Sequence, residues 1–329
     1  MIQTAGLGMA VEDALRAPSV HNTQPWRWRI HPEAVELHAD WNRHLPATDP
    51  DRRDLILSCG AALHHLQVAC AARELAVAVD RLPDPEDPGH LATVAIRPGP
   101  GDPADAALFP AIHRRRTDRR RMSSRPVAAG HVRTLAEQAR RAGALLVPVA
   151  SALMRQRLSA ALTGAAYRQE STPGYTAELQ MWTRRYAAAR DGVPPASIAP
   201  PPVGLTGASP LRQFPRAQLS QPQHLAGHGP ADDAAELLVI ATVGDDLIDW
   251  LRAGEAMSAV LLAATQLELA TTPLSQALEV ETSRRELQQE VLHLPEHPQL
   301  IIRVGWPASG AAELPFTKRR DLSSVLLSA

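Results

Sequence analysis

The chain has 329 residues, 45% of them hydrophobic, which is enough apolar material for one large core or two modest ones. Its 34 Lys and Arg against 35 Asp and Glu leave a formal charge of -1, so no whole-molecule field gathers nucleic acid or an anionic membrane, and any anion site must be local. No run of about 18 apolar residues occurs, and the first ten residues lack the basic stretch of a secretory signal, so a cytoplasmic protein is expected.

Within residues 9–16, Val11, Ala14 and Leu15 have helical spacing, and Pro18 stops them. Alternation in Trp26-Arg27-Trp28-Arg29-Ile30 and again in Val35, Leu37 and Ala39, with His31-Pro32-Glu33 between, predicts a hairpin. Asp49-Pro50 opens a long helix carrying Leu55, Cys59, Ala62, Leu63 and Leu66, since Pro is tolerated where the first N–H has no partner anyway. Cys59 and Cys70 lie on that helix roughly 16 Å apart, at about 1.5 Å per residue, far beyond disulfide reach. Strands are expected at 77–79 and 93–96. The turn chemistry of Pro98-Gly99-Pro100-Gly101-Asp102-Pro103 then closes a first half, residues 1–100.

A second half, residues 101–329, begins with a short helix over 108–112 and a basic run. A helix over 129–142, a strand over 145–149 and helical patterns over 154–167 and 177–190 follow. From 192 to 230 the chain is rich in Pro, Gly, Ser and Gln and holds no helix. A stretch of this length inside a compact chain is either a covering segment or a flexible linker. Beyond it the pattern predicts a buried strand over 237–243, a long helix over 249–270, a helix over 283–292 and a buried strand over 300–304. Helices and short strands interleave twice with a similar rhythm, which suggests two related halves, although no residue repeat proves a duplication.

Three segments carry groups suited to ligand chemistry. In Ala17-Pro18-Ser19-Val20-His21-Asn22-Thr23-Gln24-Pro25-Trp26, the amides of Asn22 and Gln24 match the donor and acceptor pattern of a flavin pyrimidine edge, and the same residues also suit a Pro-bounded turn that satisfies its own backbone. Trp26 reads as packing rather than stacking. The run Arg114-Arg115-Arg116-Thr117-Asp118-Arg119-Arg120-Arg121 places six guanidinium groups in eight residues. Arg forks fit phosphate oxygens, and Arg115/Arg119 or Arg116/Arg120 would share a helix face, which could equally be a solvated charged face. Nucleic acid is the lesser competitor because no aromatics interleave. Thr317-Lys318-Arg319-Arg320 is a second basic cluster, weak by itself. No complete dinucleotide, phosphate-loop, nucleophile-elbow or HExxH motif occurs, and Gly6-x-Gly8 lacks its third glycine. Adjacent His64 and His65 diverge on a helix, and His293-Leu-Pro-Glu-His297 contains a helix breaker, so no metal site is expected.

Taken in this order the segments resemble the nitroreductase superfamily, specifically its Acg-like branch. The resemblance rests on APSVHNTQPWRW (17–28), DPDRRDLILSCGAALHHL (49–66), AIHRRRTDRR (111–120), the segment 250–279, LIIRVGW (300–306) and PFTKRRDLSSVL (315–326). It implies an α+β fold of helix-flanked sheets, with two halves of one chain forming an intramolecular pseudo-dimer, either monomeric or weakly dimeric. It further implies noncovalent FMN and hydride transfer from NAD(P)H to a small-molecule electron acceptor, with no nucleic acid or membrane partner. The alternative is an FMN-sequestering protein whose 192–230 lid blocks turnover. By motif, Pro18, Ser19 and Asn22 reach the flavin, joined by Gln24. Arg115, Arg116, Thr117 and Arg119 resemble its phosphate-binding pattern, with Lys318 and Arg319 as the complement. Pro273, Leu274 and Ser275 match the loop near the flavin. Each essential motif occurs once, which implies one site per chain. Hydride transfer through a flavin needs little from side chains, so no dedicated catalytic acid, base or nucleophile is expected.

Overall fold

The computed structural model describes residues 2–186, 188–198, 212, 214, 218, 219 and 233–328. Of the expected covering segment, residues 199–211, 213, 215–217 and 220–230 lie outside the described residues. Helix α1 (Ile2–Ala14) starts earlier than its spacing indicates and buries Leu7, Ala10, Val11 and Ala14 along one stripe. Strands β1 (Trp26–Ile30) and β2 (Ala34–Ala39) form the expected hairpin, in register from Trp26↔Ala39 to Ile30↔Val35. Helix α2 (Arg53–Ala71) follows. Its first N–H groups are held by Asp49, whose carboxylate accepts from Asp54 N at 3.1 Å and Leu55 N at 2.9 Å. Strands β3 (Val77–Arg81) and β4 (His90–Ile96) complete an antiparallel sheet of order β1-β2-β4-β3.

Helix α3 (Pro103–Arg114) is capped by Asp102, which accepts from Ala104 N at 2.8 Å. After it come α4 (Ala129–Arg141), β5 (Leu145–Pro148), α5 (Ala152–Glu170), α6 (Tyr175–Thr183), β6 (Glu236–Thr242) and α7 (Leu247–Gln266). The chain continues through β7 (Ala270–Leu274), α8 (Gln276–Glu279), α9 (Glu281–Glu286) with a π-helical turn over Leu287–Leu292, β8 (His297–Gly305) and α10 (Leu322–Val325). The second antiparallel sheet has the order β5-β6-β8-β7, the same positional order as the first. In each sheet a long helix, α2 or α7, connects the second strand to the third. The protein is thus α+β with two sheets of matching topology, a likeness that residue identities alone do not reveal.

The two long helices cross with their backbones in contact. A Cβ on Gly60 would stand 2.1 Å from the Leu251 carbonyl oxygen, and one on Gly254 would stand 2.0 Å from that of Leu57, so only glycine fits at either position. The main core joins this helix pair to α1, α3 and α4, to Trp26 and Trp28 of the first sheet, and to Leu238, Ile240, Leu300 and Ile302 of the second. On the second sheet the alternate residues Val239 and Ile301 enter a separate cluster with Leu158 and Leu162 of α5. That sheet is therefore covered on both faces, whereas the other face of the first carries polar groups, with Glu36 accepting from Arg29 at 2.7 Å and close to His38 at 3.0 Å.

Several local expectations are corrected. The 249–270 helix stops at Gln266, and Pro273 and Leu274, expected in a loop, belong to edge strand β7, where a missing N–H costs no ladder bond. The 177–190 helix ends at Thr183. The arginine run does not share a helix face, because α3 ends at Arg114 and Arg115 turns extended at ψ 130°. His64 and His65 do not diverge: the Nδ1 of each lies 2.8 Å from Ser258 Oγ, since the tight helix crossing brings α7 within reach of both.

Candidate functional site

Three remote stretches of chain meet at one cleft: the turn after α1, the run after α3 and the segment before α10. The turn is held by hydroxyls. Ser19 Oγ accepts from Gln24 N at 2.9 Å, and Ser58 Oγ of α2 accepts from Val20 N at 3.0 Å while donating to the Asp54 carbonyl at 2.6 Å. These bonds hold His21, Asn22 and Gln24 at φ of 44°, 55° and 52°, a left-handed conformation that non-glycine residues adopt at a cost. The arginine run is laid against the edge of β7. Thr117 bridges Thr271, Asp118 N donates to Thr271 O at 2.9 Å, and Thr272 Oγ1 donates to Asp118 O at 2.6 Å. Arg120 folds back onto Asp118 at 2.8 Å and leaves the cleft to its neighbours. The C-terminal segment crosses to the first sheet, where Leu327 N donates to Trp28 O of β1 at 2.7 Å. Arg319 rides on that crossing.

The cleft has two lobes of about 690 and 820 Å³, both open to solvent, and Pro18, Ser19, Thr117 and Arg119 line the two in common. Arg16, Arg115, Arg116, Arg119 and Arg319 line the first lobe, and no carboxylate among the described residues does. Phe316 supports two of these cations, with the Arg16 and Arg116 guanidinium carbons 5.1 and 4.9 Å from its ring centre. Burial, followed by the charge of Arg116, pushes Arg115 down to about 10. Burial, followed by Arg115, Arg16 and Arg116, pushes Arg319 down to about 9. Buried N–H groups on Arg115 (Nε and Nη1), Arg116 (Nε) and Arg319 (Nε) have no hydrogen-bond partner among the described residues. Other N–H groups of Arg116 and Arg319 donate to backbone carbonyls, which fixes the guanidinium groups in place. Crowded, desolvated cations that keep unpartnered N–H groups are a receptor for an anion with several oxygens.

The second lobe is more apolar, with Leu57, Met257, Pro273, Leu274, Leu300 and Phe214 in its wall. Ser275 lines it as well. Two buried polar groups face it. His21 has both ring nitrogens unpartnered among the described residues, and burial, then Arg212 and Arg119, hold it well below the usual histidine range, hence neutral. Asp54 Oδ2 is likewise without a partner, and burial, then Glu279, pushes its carboxyl up to about 7. Glu279 accepts from Ser275 Oγ at 2.6 Å and pairs with Arg212, whose Nη1 donates to the Tyr175 hydroxyl at 2.7 Å.

Of the residues singled out from the sequence, Pro18, Ser19, Asn22, Arg115, Arg116, Thr117, Arg119, Pro273, Leu274, Ser275 and Arg319 line the cleft. Gln24 and Lys318 do not. Gln24 is buried behind the turn, donating to Arg190 O at 2.8 Å and accepting from Arg320 N at 2.7 Å. Lys318 is exposed and presents its backbone carbonyl to Asn22 Nδ2 at 3.3 Å. Gly192, Val193, Pro194 and Ser197 of the 192–230 segment line the first lobe, and Arg212 and Phe214 line the second. Sequence reasoning misses Arg16, His21, Asp54 and Phe316. For Asp54 the available signal is its place on an inward stripe of α2 with Leu57, Ser58 and Ala61, a carboxylate where the period calls for an apolar residue.

The nitroreductase family model matches residues 112–306. A Mycobacterium tuberculosis protein provisionally named NAD(P)H nitroreductase Rv3131 is 44% identical over 95% of this chain and 88% of its own length. The acg protein of the same organism, also provisionally named an NAD(P)H nitroreductase, is 34% identical over 99% of this chain and 96% of its own. Among solved structures, a nitroreductase with bound FMN from Bacteroides fragilis covers 68% of this chain and 98% of its own at 14% identity and a TM-score of 0.42, too loose a superposition to transfer positions.

Proposed function

The chain belongs to the nitroreductase family, and on that premise we propose that its cleft binds one FMN without a covalent link and serves hydride transfer from NADH or NADPH to a small-molecule electron acceptor. The observation that carries this reading is the set of unpartnered buried N–H groups on Arg115, Arg116 and Arg319. A phosphate monoester offers them acceptor oxygens and negative charge at once, which an uncharged ligand cannot. Arg115, Arg116, Thr117, Arg119 and Arg319 would hold the phosphate, and the apolar second lobe, entered past Pro18 and Ser19, would take the ring. When bound, FMN supplies reversible two-electron chemistry that these side chains lack. The protein's part is to orient rings and exclude water, for which the walls of Leu57, Met257 and Leu274 are suited. We read residues 1–100 and 101–329 as two halves, with the α2–α7 crossing as the centre of an internal pseudo-dimer.

Sequestration of FMN is a second reading, favoured by the residues of the 192–230 segment that line both lobes. Mixing the flavin-loaded protein anaerobically with NADH or NADPH separates the two. Rapid loss of flavin absorbance supports the oxidoreductase. Bleaching by dithionite but by neither nucleotide supports sequestration, and a colourless protein that cannot be reconstituted with FMN rejects both.

A further inference from the structure

Any two-electron reduction that ends with a new O–H bond needs a proton as well as a hydride. A quinone, for example, takes a hydride and one proton to become a hydroquinone. The titratable groups lining the second lobe among the described residues are His21, Asp54, Arg119 and Arg212. Neither arginine releases a proton near neutral pH. His21 is neutral and flanked by both arginines, so its remaining N–H is not an acid in this range. Asp54 differs from the other three. It stands in the first turn of α2, buried in the wall of the lobe, where Ser275 and Glu279 approach its carboxyl while Oδ2 has no hydrogen-bond partner among the described residues. We propose that Asp54 is the proton donor of this cleft, serving an acceptor that is reduced at oxygen. The inference rests on the FMN reading above.

The surroundings of Asp54 suit the role. Glu279 of α8 lies beside it, paired with Arg212 and accepting from the Ser275 hydroxyl, and burial, followed by Glu279, pushes the Asp54 carboxyl up to about 7. Asp49, from the loop before α2, adds a second acidic neighbour, while Arg53 is drawn away to Asp245 at 2.5 Å. In the step itself the Asp54 O–H bond breaks as the O–H bond on the acceptor oxygen forms. The electron pair and the other hydrogen arrive as hydride, originally from the nicotinamide, and the carboxylate left behind recovers its proton from solvent. A donor must be protonated to act, so the step runs below the Asp54 titration and fails above it.

The experiment uses dithionite-reduced, flavin-loaded protein, so that it does not depend on nicotinamide access. Reoxidation is followed with p-benzoquinone, which needs a proton, and with ferricyanide, which needs none. In the wild type, quinone reduction should fall as pH rises through about 7, while ferricyanide reduction should not follow that titration. Asp54→Asn should lower quinone reduction roughly a hundredfold more than ferricyanide reduction and flatten its pH profile, and Asp54→Glu should restore part of both. In flavin-free protein, a ¹³C-labelled aspartate carboxyl titrating above the ordinary range should be lost in Asp54→Asn. If FMN binds but both acceptors share one pH profile, or both slow equally in the variant, Asp54 is only structural and this inference falls alone. If the wild type binds no FMN, the parent reading falls and takes this one with it. The two wild-type profiles decide the matter even where a variant does not fold.

Discussion

The side-chain amide of Asn22 donates to the Gly192 carbonyl at 3.1 Å, and the Gly192 N–H returns to the Asn22 carbonyl at 3.3 Å. The turn after α1 and the start of the 192–230 segment therefore hold each other, and through Lys318 O the same amide ties in the C-terminal crossing. Three stretches that share no sequence neighbourhood are pinned at one residue beside the arginines.

Gly192 has little freedom to change. It sits at φ +81°, and a Cβ there would stand 2.5 Å from Arg185 Cγ and 2.6 Å from Trp182 O. Gly192→Ala is expected to destabilise the protein by about 1–3 kcal/mol and to speed FMN release. Thermal unfolding and an FMN off-rate check this, and an unchanged melting temperature would refute the account of this joint.

Arg115 is the clearest case of function opposing stability. Its folded pKa is depressed by burial and by Arg116, so the charged form is favoured less in the folded state than in the unfolded one. The stability that a depressed group contributes is present only above its unfolded value and is lost as pH falls through its folded value, so neutral pH carries the penalty. Arg115→Met should raise the melting temperature of flavin-free protein while reducing the further rise that FMN causes. A lower melting temperature without flavin would contradict this.

How far the sequence foretells this arrangement depends on the element. The β1–β2 hairpin is legible because Trp and Arg alternate with period two and one face must be buried. β7 is not, because Leu269 and Ala270 extend the apolar pattern of α7 with no break and a proline follows. The arginine run declares its charge but not its conformation: helical and extended chains present the same six guanidinium groups, and only contact with Thr271 selects the extended one. Gln24 carries the right amide for a ring edge, yet its direction is set by Arg190 and Arg320, which lie far away in sequence. The raised titration of Asp54 depends on its burial and on Glu279, again remote.

The helix crossing gives a prediction about the fold itself. Because a Cβ on Gly60 would lie 2.1 Å from the Leu251 carbonyl, the α2 and α7 backbones must move apart to admit even alanine. Gly60→Ala should lower stability by about 3 kcal/mol or more in denaturant unfolding, beyond the usual cost of overpacking. A change under roughly 0.5 kcal/mol, the size of a neutral surface substitution, would mean the helices are not in backbone contact.

Asp54 also ties stability to pH without any ligand. Its folded pKa is raised to about 7 from 3.8, so its contribution is fully present below the unfolded value and is lost as pH rises through the folded one. Denaturant midpoints at about pH 5 and pH 8 should differ more in the wild type than in Asp54→Asn, with the wild type weaker at the higher pH. Equal differences in the two proteins would show that Asp54 titrates in its ordinary range.

The central claim is that the unpartnered N–H groups of Arg115, Arg116 and Arg319 receive the phosphate of a single flavin nucleotide. Calorimetric titration of flavin-free protein with FMN and with riboflavin tests this most directly, because the two ligands differ only in that phosphate. One FMN per chain is predicted, bound about ten- to a hundredfold more tightly than riboflavin, the span expected for charge-assisted contacts of roughly 1.5–3 kcal/mol. Two sites per chain, or equal affinity for the two ligands, would contradict it.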